Sequence, residues 1–135
     1  MPRAGSLTPG AIAMLRERQF AHMVTLMPDG SPQATVVWVD VEPDGGHVLV
    51  NSSEKRLKSR NLRRDPRVSV SVLDPQDSRR FVVLRGTVVE MRQEGAPEHY
   101  RALSVKYSGR EPERGDLSDR RILRIKPDHV VERGV

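Results

Sequence analysis

The sequence predicts a mainly β fold (α+β), an antiparallel barrel of about six strands with accessory helices, and three observations carry that prediction. Val68, Val70 and Val72 alternate with Ser69 and Ser71, the period-two pattern of a half-buried strand. Two turn sequences, Pro28-Asp29-Gly30 and Pro43-Asp44-Gly45-Gly46, separate apolar runs of strand length. Helical patterns fall only at the start, the middle and near the end, whereas a parallel sheet would alternate strands and helices throughout.

Taken in order, Thr8-Pro9 supplies an N-cap and a first-turn proline, and Ile12, Leu15 and Gln19 follow at helical spacing beside Met14, so a helix is predicted from Pro9 to Gln19. Ala21 to Met27 reads as a strand, Gln33 to Val41 as its hairpin partner, and His47 to Asn51 as a third strand. Ser52-Ser53 can cap a helix from Glu54 to Arg64, which Asp65-Pro66 ends because a residue before proline is pushed out of the α region. After the strand around Val70, the loop Asp74 to Ser78 leads into a long strand from Arg79 to Met91. Gly86 inside it signals a bulge or close backbone approach. A helix from Pro97 to Ser108, a polar loop from Gly109 to Ser118 and a strand from Arg121 to Ile125, ending at Pro127, complete the chain, with His129 to Val131 as a short extension. No repeat or low-complexity segment interrupts residues 1–135, which read as one domain.

The 135 residues carry 23 Lys+Arg against 18 Asp+Glu, a formal charge of +5, with 36% hydrophobic and 4% aromatic residues and no cysteine. A domain of this size buries roughly two-thirds of its unfolded surface, enough for a core without staples. The lack of cysteine excludes disulfide frameworks, thiolate metal sites and thiol nucleophiles. Met1-Pro2-Arg3-Ala4-Gly5 has no apolar signal region, and no stretch approaches the roughly 20 apolar residues of a membrane span, so a soluble cytoplasmic protein without a membrane partner is expected. Phe20, Trp38, Phe81, Tyr100 and Tyr107 are scattered, which disfavours nucleic acid as a partner because single strands need stacking platforms. A small polyanion fits the charge equally well.

The densest cationic stretch runs from Lys55 to Arg64, directly after a strand end. A strand feeding a helix N-terminus presents free N–H groups and the positive end of the dipole. Ser52 and Ser53 add hydroxyls, Arg56 a guanidinium and Lys58 an ammonium, which together make a phosphate cradle. Spacing alone leaves open a solvated basic helix. His22, His47, His99 and His129 fall on different elements without ligand spacing, so no metal site is predicted. No side chain stands out as catalytic, since Ser69 and Ser71 have no accompanying histidine–acid pair.

The run from Pro32 to Val39, through His47 to Asn51, to Arg56-x-Lys58-x-x-Asn61-Leu62-Arg63-Arg64-Asp65-Pro66-Arg67, resembles the split β-barrel flavin and deazaflavin oxidoreductases related to pyridoxine-phosphate oxidase. The Lys-x-x-Asn-Leu-Arg-Arg-Asp-Pro-Arg string resembles the branch that uses the deazaflavin coenzyme F-420. Arg79 to Val88 and Asp119 to Val130 are similar to the family's long and closing strands, so the resemblance covers nearly the whole chain. It implies an FMN-binding-like split barrel that moves a hydride between reduced F-420 and a small organic substrate, working as a homodimer with the coenzyme at the subunit interface. It places the coenzyme phosphate at Asn51, Ser52, Arg56 and Lys58, with Asn61 of the distinctive string, and the ring along Thr35, Val36, Val37 and Trp38. Trp38 serves as a ring wall or as a plain core or interface tryptophan. Phe81 falls where the oxidases place a ring-binding glutamine, and the oxidases' C-terminal arginine segment has no counterpart after Glu132, so pyridoxine-phosphate oxidase activity is not expected. FMN is the alternative coenzyme. Lys55, Arg60, Arg63, Arg64, Arg79 and Arg80 favour the more acidic F-420. A non-catalytic basic barrel that binds nucleic acid or stores a cofactor is the alternative of another class.

Overall fold

The computed structural model describes residues 3–113 and 115–135. Met1, Pro2 and Arg114, which enter the readings of the N-terminus and of the loop from Gly109 to Ser118, lie outside them. The elements are β1 (Arg3–Ala4), α1 (Pro9–Arg16), β2 (Phe20–Leu26), β3 (Pro32–Trp38), β4 (Asp40–Val41), β5 (Val48–Ser53), α2 (Leu57–Arg64), β6 (Arg67–Asp74), β7 (Asp77–Arg92), α3 (Ala96–Ser108) and β8 (Arg120–Arg133). One antiparallel sheet takes the order β3-β2-β6-β7-β8-β5-β4, with β1 added on β8. Because β4 follows β3 after a single residue, the two ends of that order belong to one extended segment, and the sheet curls round into a split barrel. Counted with β3 and β4 as one, and apart from the two-residue β1, the barrel has the six predicted strands.

The break at Val39 has a local cause. Its N–H is taken by the Tyr107 hydroxyl at 3.1 Å and its carbonyl by Lys106 Nζ at 2.8 Å, so α3 uses the groups that would continue the ladder. The core fills the barrel with alternate strand residues: Ala21 and Met23 of β2, Val48 and Val50 of β5, Val68, Val70 and Val72 of β6, Val82 and Leu84 of β7, and Leu123 and Ile125 of β8. Met14 and Leu15 of α1 join it, fully buried. No helix of the described residues is long and apolar enough to cross a membrane.

Helix α1 starts as predicted, with Thr8 Oγ1 accepting from the Ala11 N–H at 3.2 Å, but stops at Arg16. Glu17 is already extended (φ −72°, ψ 169°), and the Gln19 carbonyl accepts from the Tyr107 hydroxyl at 2.6 Å. Helix α2 starts at Leu57, three residues later than predicted. The Ser53 hydroxyl accepts from the Lys55 N–H and donates to Asp119 at 2.5 Å, so residues 54–56 form a turn between strand and helix. Strand β8 is longer than its sequence suggests because it passes through Pro127, which pairs with Gly86 at a register shift in β7. Proline has no N–H to give the ladder, and the irregularity accommodates it.

Gly86 is fixed by that irregularity. A Cβ there would lie 2.5 Å from the Lys126 carbonyl oxygen and 3.0 Å from Ile125 Cγ2, and the first of these is backbone. Gly86→Ala is therefore expected to lower stability by about 1–3 kcal/mol, a fall of roughly 4–12 °C in Tm by calorimetry. Gly115→Ala, which meets nothing within 4 Å, is the control and should leave Tm unchanged.

Candidate functional site

A cleft of about 280 Å³ opens where the barrel splits, between the edge of β3 and the end of β5. Its wall contains Thr35, Val36, Val37 and Trp38 from β3, Asn51, Ser52 and Ser53 from β5, and Arg56 and Lys58 at the start of α2. Tyr100 and Leu103 of α3 and Arg120 of β8 complete it. Eight of the ten residues proposed from sequence thus share one cleft. The other two lie elsewhere. Asn61 is 1% exposed, and its amide donates to Thr25 Oγ1 at 3.0 Å, tying α2 to β2. Phe81 sits on β7 across from Leu73 and Arg133, three strands from β3 in the sheet order.

Three cations meet in the cleft without an acid between them. Lys58 and Arg56 have no hydrogen-bonded or ion-paired side-chain partner among the described residues, and Arg120 spends only Nε, on Asn51 Oδ1 at 2.8 Å. Burial, then Arg56 and Arg120, push the Lys58 ammonium below its ordinary value. Burial also lowers Arg120, against the opposing pull of Tyr100 and of Asp119 outside the cleft wall, with Arg56 adding to the lowering. Half-buried like charges are unfavourable unless an anion joins them, and each charge-assisted contact to such an anion is worth about 1.5–3 kcal/mol.

Part of the remaining basic excess is already spent. Arg63 and Arg121 face Glu54 at 3.6 and 2.8 Å, and Arg67 faces Asp65 at 2.7 Å, holding that carboxyl down at about 2. Arg79 lies 3.6 Å from Asp77, and Arg80 bridges Glu17 and Asp74 at 2.7 and 3.0 Å. Arg64 donates to the Leu26 carbonyl. The leaning toward an acidic coenzyme that drew on Lys55, Arg60, Arg63, Arg64, Arg79 and Arg80 therefore loses the last four, keeps Lys55 and Arg60 outside the cleft wall, and gains Arg120.

Trp38 is one plate of an aromatic column. Its ring stacks on Tyr107 at 5.3 Å and 4° and on Tyr100 at 6.3 Å and 17°, and the Arg120 guanidinium caps Tyr100 at 4.0 Å. The column fastens α3 to β3 and brings Tyr100 and Arg120 to the cleft. Beside it, β3 has a strand neighbour on one side only, β2, so backbone N–H and C=O groups on its other edge remain for a ligand. The chemistry on offer is anion binding at one end and a flat, partly apolar wall with free backbone groups along β3. Among the described residues no three His, Asp or Glu side chains converge as metal ligands.

Comparison with known proteins gives the arrangement a context. A family model described as pyridoxamine 5′-phosphate oxidase matches residues 7–134. An F-420 reductase of known structure superposes with a TM-score of 0.83 at 28% identity, over 93% of this chain and 98% of that one. A conserved hypothetical protein of Mycobacterium tuberculosis superposes with a TM-score of 0.69 at 25% identity, over 94% and 84%. A haem storage protein of Vibrio cholerae, at 18% identity and a TM-score of 0.66 over 96% of each chain, shares the fold. Among curated sequences, a DNA ligase of Stenotrophomonas maltophilia is 30% identical over 101 residues, 75% of this chain. The chain spans 12% of the length of that relative.

Proposed function

The chain belongs to the pyridoxamine 5′-phosphate oxidase family, and on that premise we propose that it is an oxidoreductase that binds coenzyme F-420 in the cleft at the barrel split and serves hydride transfer with a small organic substrate. The observation that carries the proposal is the trio Arg56, Lys58 and Arg120 at the end of β5, in a cleft whose wall contains no acid. The donor set fits the anionic end of such a coenzyme: three cations, one of them a half-buried ammonium lowered by its neighbours, beside the Ser52 hydroxyl. The likeness to an F-420 reductase across nearly all of both chains favours a deazaflavin over FMN.

When bound, reduced F-420 supplies the hydride from its own ring carbon. The protein's part is then to bind, orient and enclose. Arg56, Lys58 and Arg120 would hold the phosphate end, and the free edge of β3, from Thr35 to Trp38, would hold the ring. Ser59 lies behind Ser52: its hydroxyl donates to the Ser53 carbonyl at 2.8 Å, and its oxygen sits 3.3 Å from Ser52 Oγ.

We also propose a homodimer with the coenzyme at its interface. Phe20 (46% exposed), Val36 (58%) and Leu73 (53%) project from the same outward face of β2, β3 and β6, an apolar surface that a second copy would cover. Docking there offers a route for Phe81, remote from the cleft in its own chain, to approach a ring held by the other.

Fluorescence titration of the protein with F-420 and with FMN tests the coenzyme. F-420 is expected to bind more tightly, and Arg56→Ala to weaken it about 10-fold, the equivalent of one charge-assisted contact. Tighter binding of FMN, or an unchanged affinity in Arg56→Ala, would refute the assignment. Light scattering tests the dimer, which a monomeric mass in the presence of coenzyme would exclude.

A further inference from the structure

Asn51 stands in the cleft wall, yet its amide has no donor left for a ligand. Nδ2 donates to the Ala96 carbonyl at 2.9 Å and lies 3.1 Å from His99 Nδ1, while Oδ1 accepts from Arg120 Nε at 2.8 Å. Two acceptors on one side and a guanidinium N–H on the other admit a single orientation of the amide. The same pattern sets the histidine tautomer. Because Asn51 is the donor, His99 Nδ1 carries no proton, and the ring proton sits on Nε2. That atom is buried, has no hydrogen-bond partner, and faces Asp40 Oδ2 at 3.8 Å. Asp40 is pushed up by burial but brought below its ordinary value by His99, the Val41 N–H and Lys106, so a negative charge stands opposite the Nε2 proton.

Arg120 is therefore held at two points, by Asn51 at Nε and by the Tyr100 ring under its guanidinium at 4.0 Å. Its two terminal nitrogens have no partner among the described residues. We infer that Asn51 and His99 are positioning residues, the links of an Asp40–His99–Asn51–Arg120 chain that aims Arg120 at the anion and leaves its terminal nitrogens to the ligand. The chain joins β4, α3, β5 and β8, so it also couples the seating of α3 to the state of the binding site. The inference rests on the reading of the cleft as an anion site. It changes the role of Asn51 from phosphate donor to support for a donor, and gives His99 a task outside direct contact.

Two readouts test it: hydrogen exchange of the Arg120 Nε–H by ¹⁵N NMR, which needs no ligand, and calorimetric titration with inorganic pyrophosphate. In the wild type the Arg120 Nε–H should exchange slowly. His99→Leu removes the acceptor that orients Asn51, and should speed that exchange and weaken pyrophosphate binding about 3- to 10-fold, with Asn51→Leu having a larger effect on both. His99→Asn offers an amide oxygen where Nδ1 was, and should restore both readouts to within about twofold of the wild type. A purely structural role for His99 would not give that rescue. Unchanged exchange in His99→Leu, or no recovery in His99→Asn, would overturn the inference. A wild type with a protected Nε–H that binds neither pyrophosphate nor F-420 would instead overturn the anion-site reading, and with it the role of Arg120 as ligand.

Discussion

Lys58→Glu is expected to weaken F-420 binding by at least about 100-fold, the loss of two charge-assisted contacts converted to affinity. Lys58 is half-buried in the cleft between Arg56 and Arg120 and has no carboxylate of its own. A glutamate there removes one ligand contact and engages Arg56 or Arg120, which removes a second. The same geometry sets an opposite expectation for the protein without ligand. The folded state holds Lys58 below its ordinary value, so it binds its proton less firmly than the unfolded chain does. The penalty is present in full at neutral pH, and it is relieved as pH rises through the lowered value toward the ordinary one near 10.5. Lys58→Met should therefore raise Tm at neutral pH, by roughly 2–4 °C, while abolishing most coenzyme affinity. A residue whose removal stabilises the fold while abolishing binding is the signature of a site built for a ligand. Thermal melts and fluorescence titrations of the two variants check both signs.

The second large effect belongs to Tyr107. Its ring is 2% exposed, stacked on Trp38 and tilted against Phe20 at 5.5 Å, and its hydroxyl joins the Gln19 carbonyl to the Val39 N–H. Burial pushes its phenol up, so it stays a neutral donor through the physiological range. Tyr107→Ala removes a buried aromatic that fastens α3 to the β3–β4 break and should lower stability by about 3–5 kcal/mol in urea denaturation. Tyr107→Phe keeps the stack but leaves the Val39 N–H without its partner, at about 1–3 kcal/mol. Because Tyr100 and Leu103 reach the cleft from the same helix, Tyr107→Ala should also weaken coenzyme binding, and Tyr107→Phe much less.

Much of this was legible in the chain because the signals are local. The Val68–Val72 alternation, the Pro28-Asp29-Gly30 turn with Gly30 at φ +87°, and Asn51-Ser52 followed by Arg56 and Lys58 each involve residues close in sequence. What escaped depends on pairing between distant segments. Arg120 enters the site because β8 lies beside β5 with Ser53 opposite Arg120, 67 positions along the chain. Tyr100 and Leu103 look like an ordinary helix face until Tyr107 and Trp38 set where α3 rests. The fate of each charge is hidden for the same reason: nothing local shows that Arg80 meets Glu17, 63 residues away, whereas Arg56 and Lys58 meet no acid. Asn61 read as part of the basic run, but helix α2 turns Ser59, Asn61 and Leu62 inward.

The most direct test is a crystal structure grown with F-420. The phosphate is expected within hydrogen-bonding distance of Arg56, Lys58 and the terminal nitrogens of Arg120, with the ring laid along Thr35 to Trp38. A coenzyme found instead in the second cleft on the outward sheet face, between Val24, Arg67, Arg85 and Asp128, with the three cations unoccupied, would contradict the assignment.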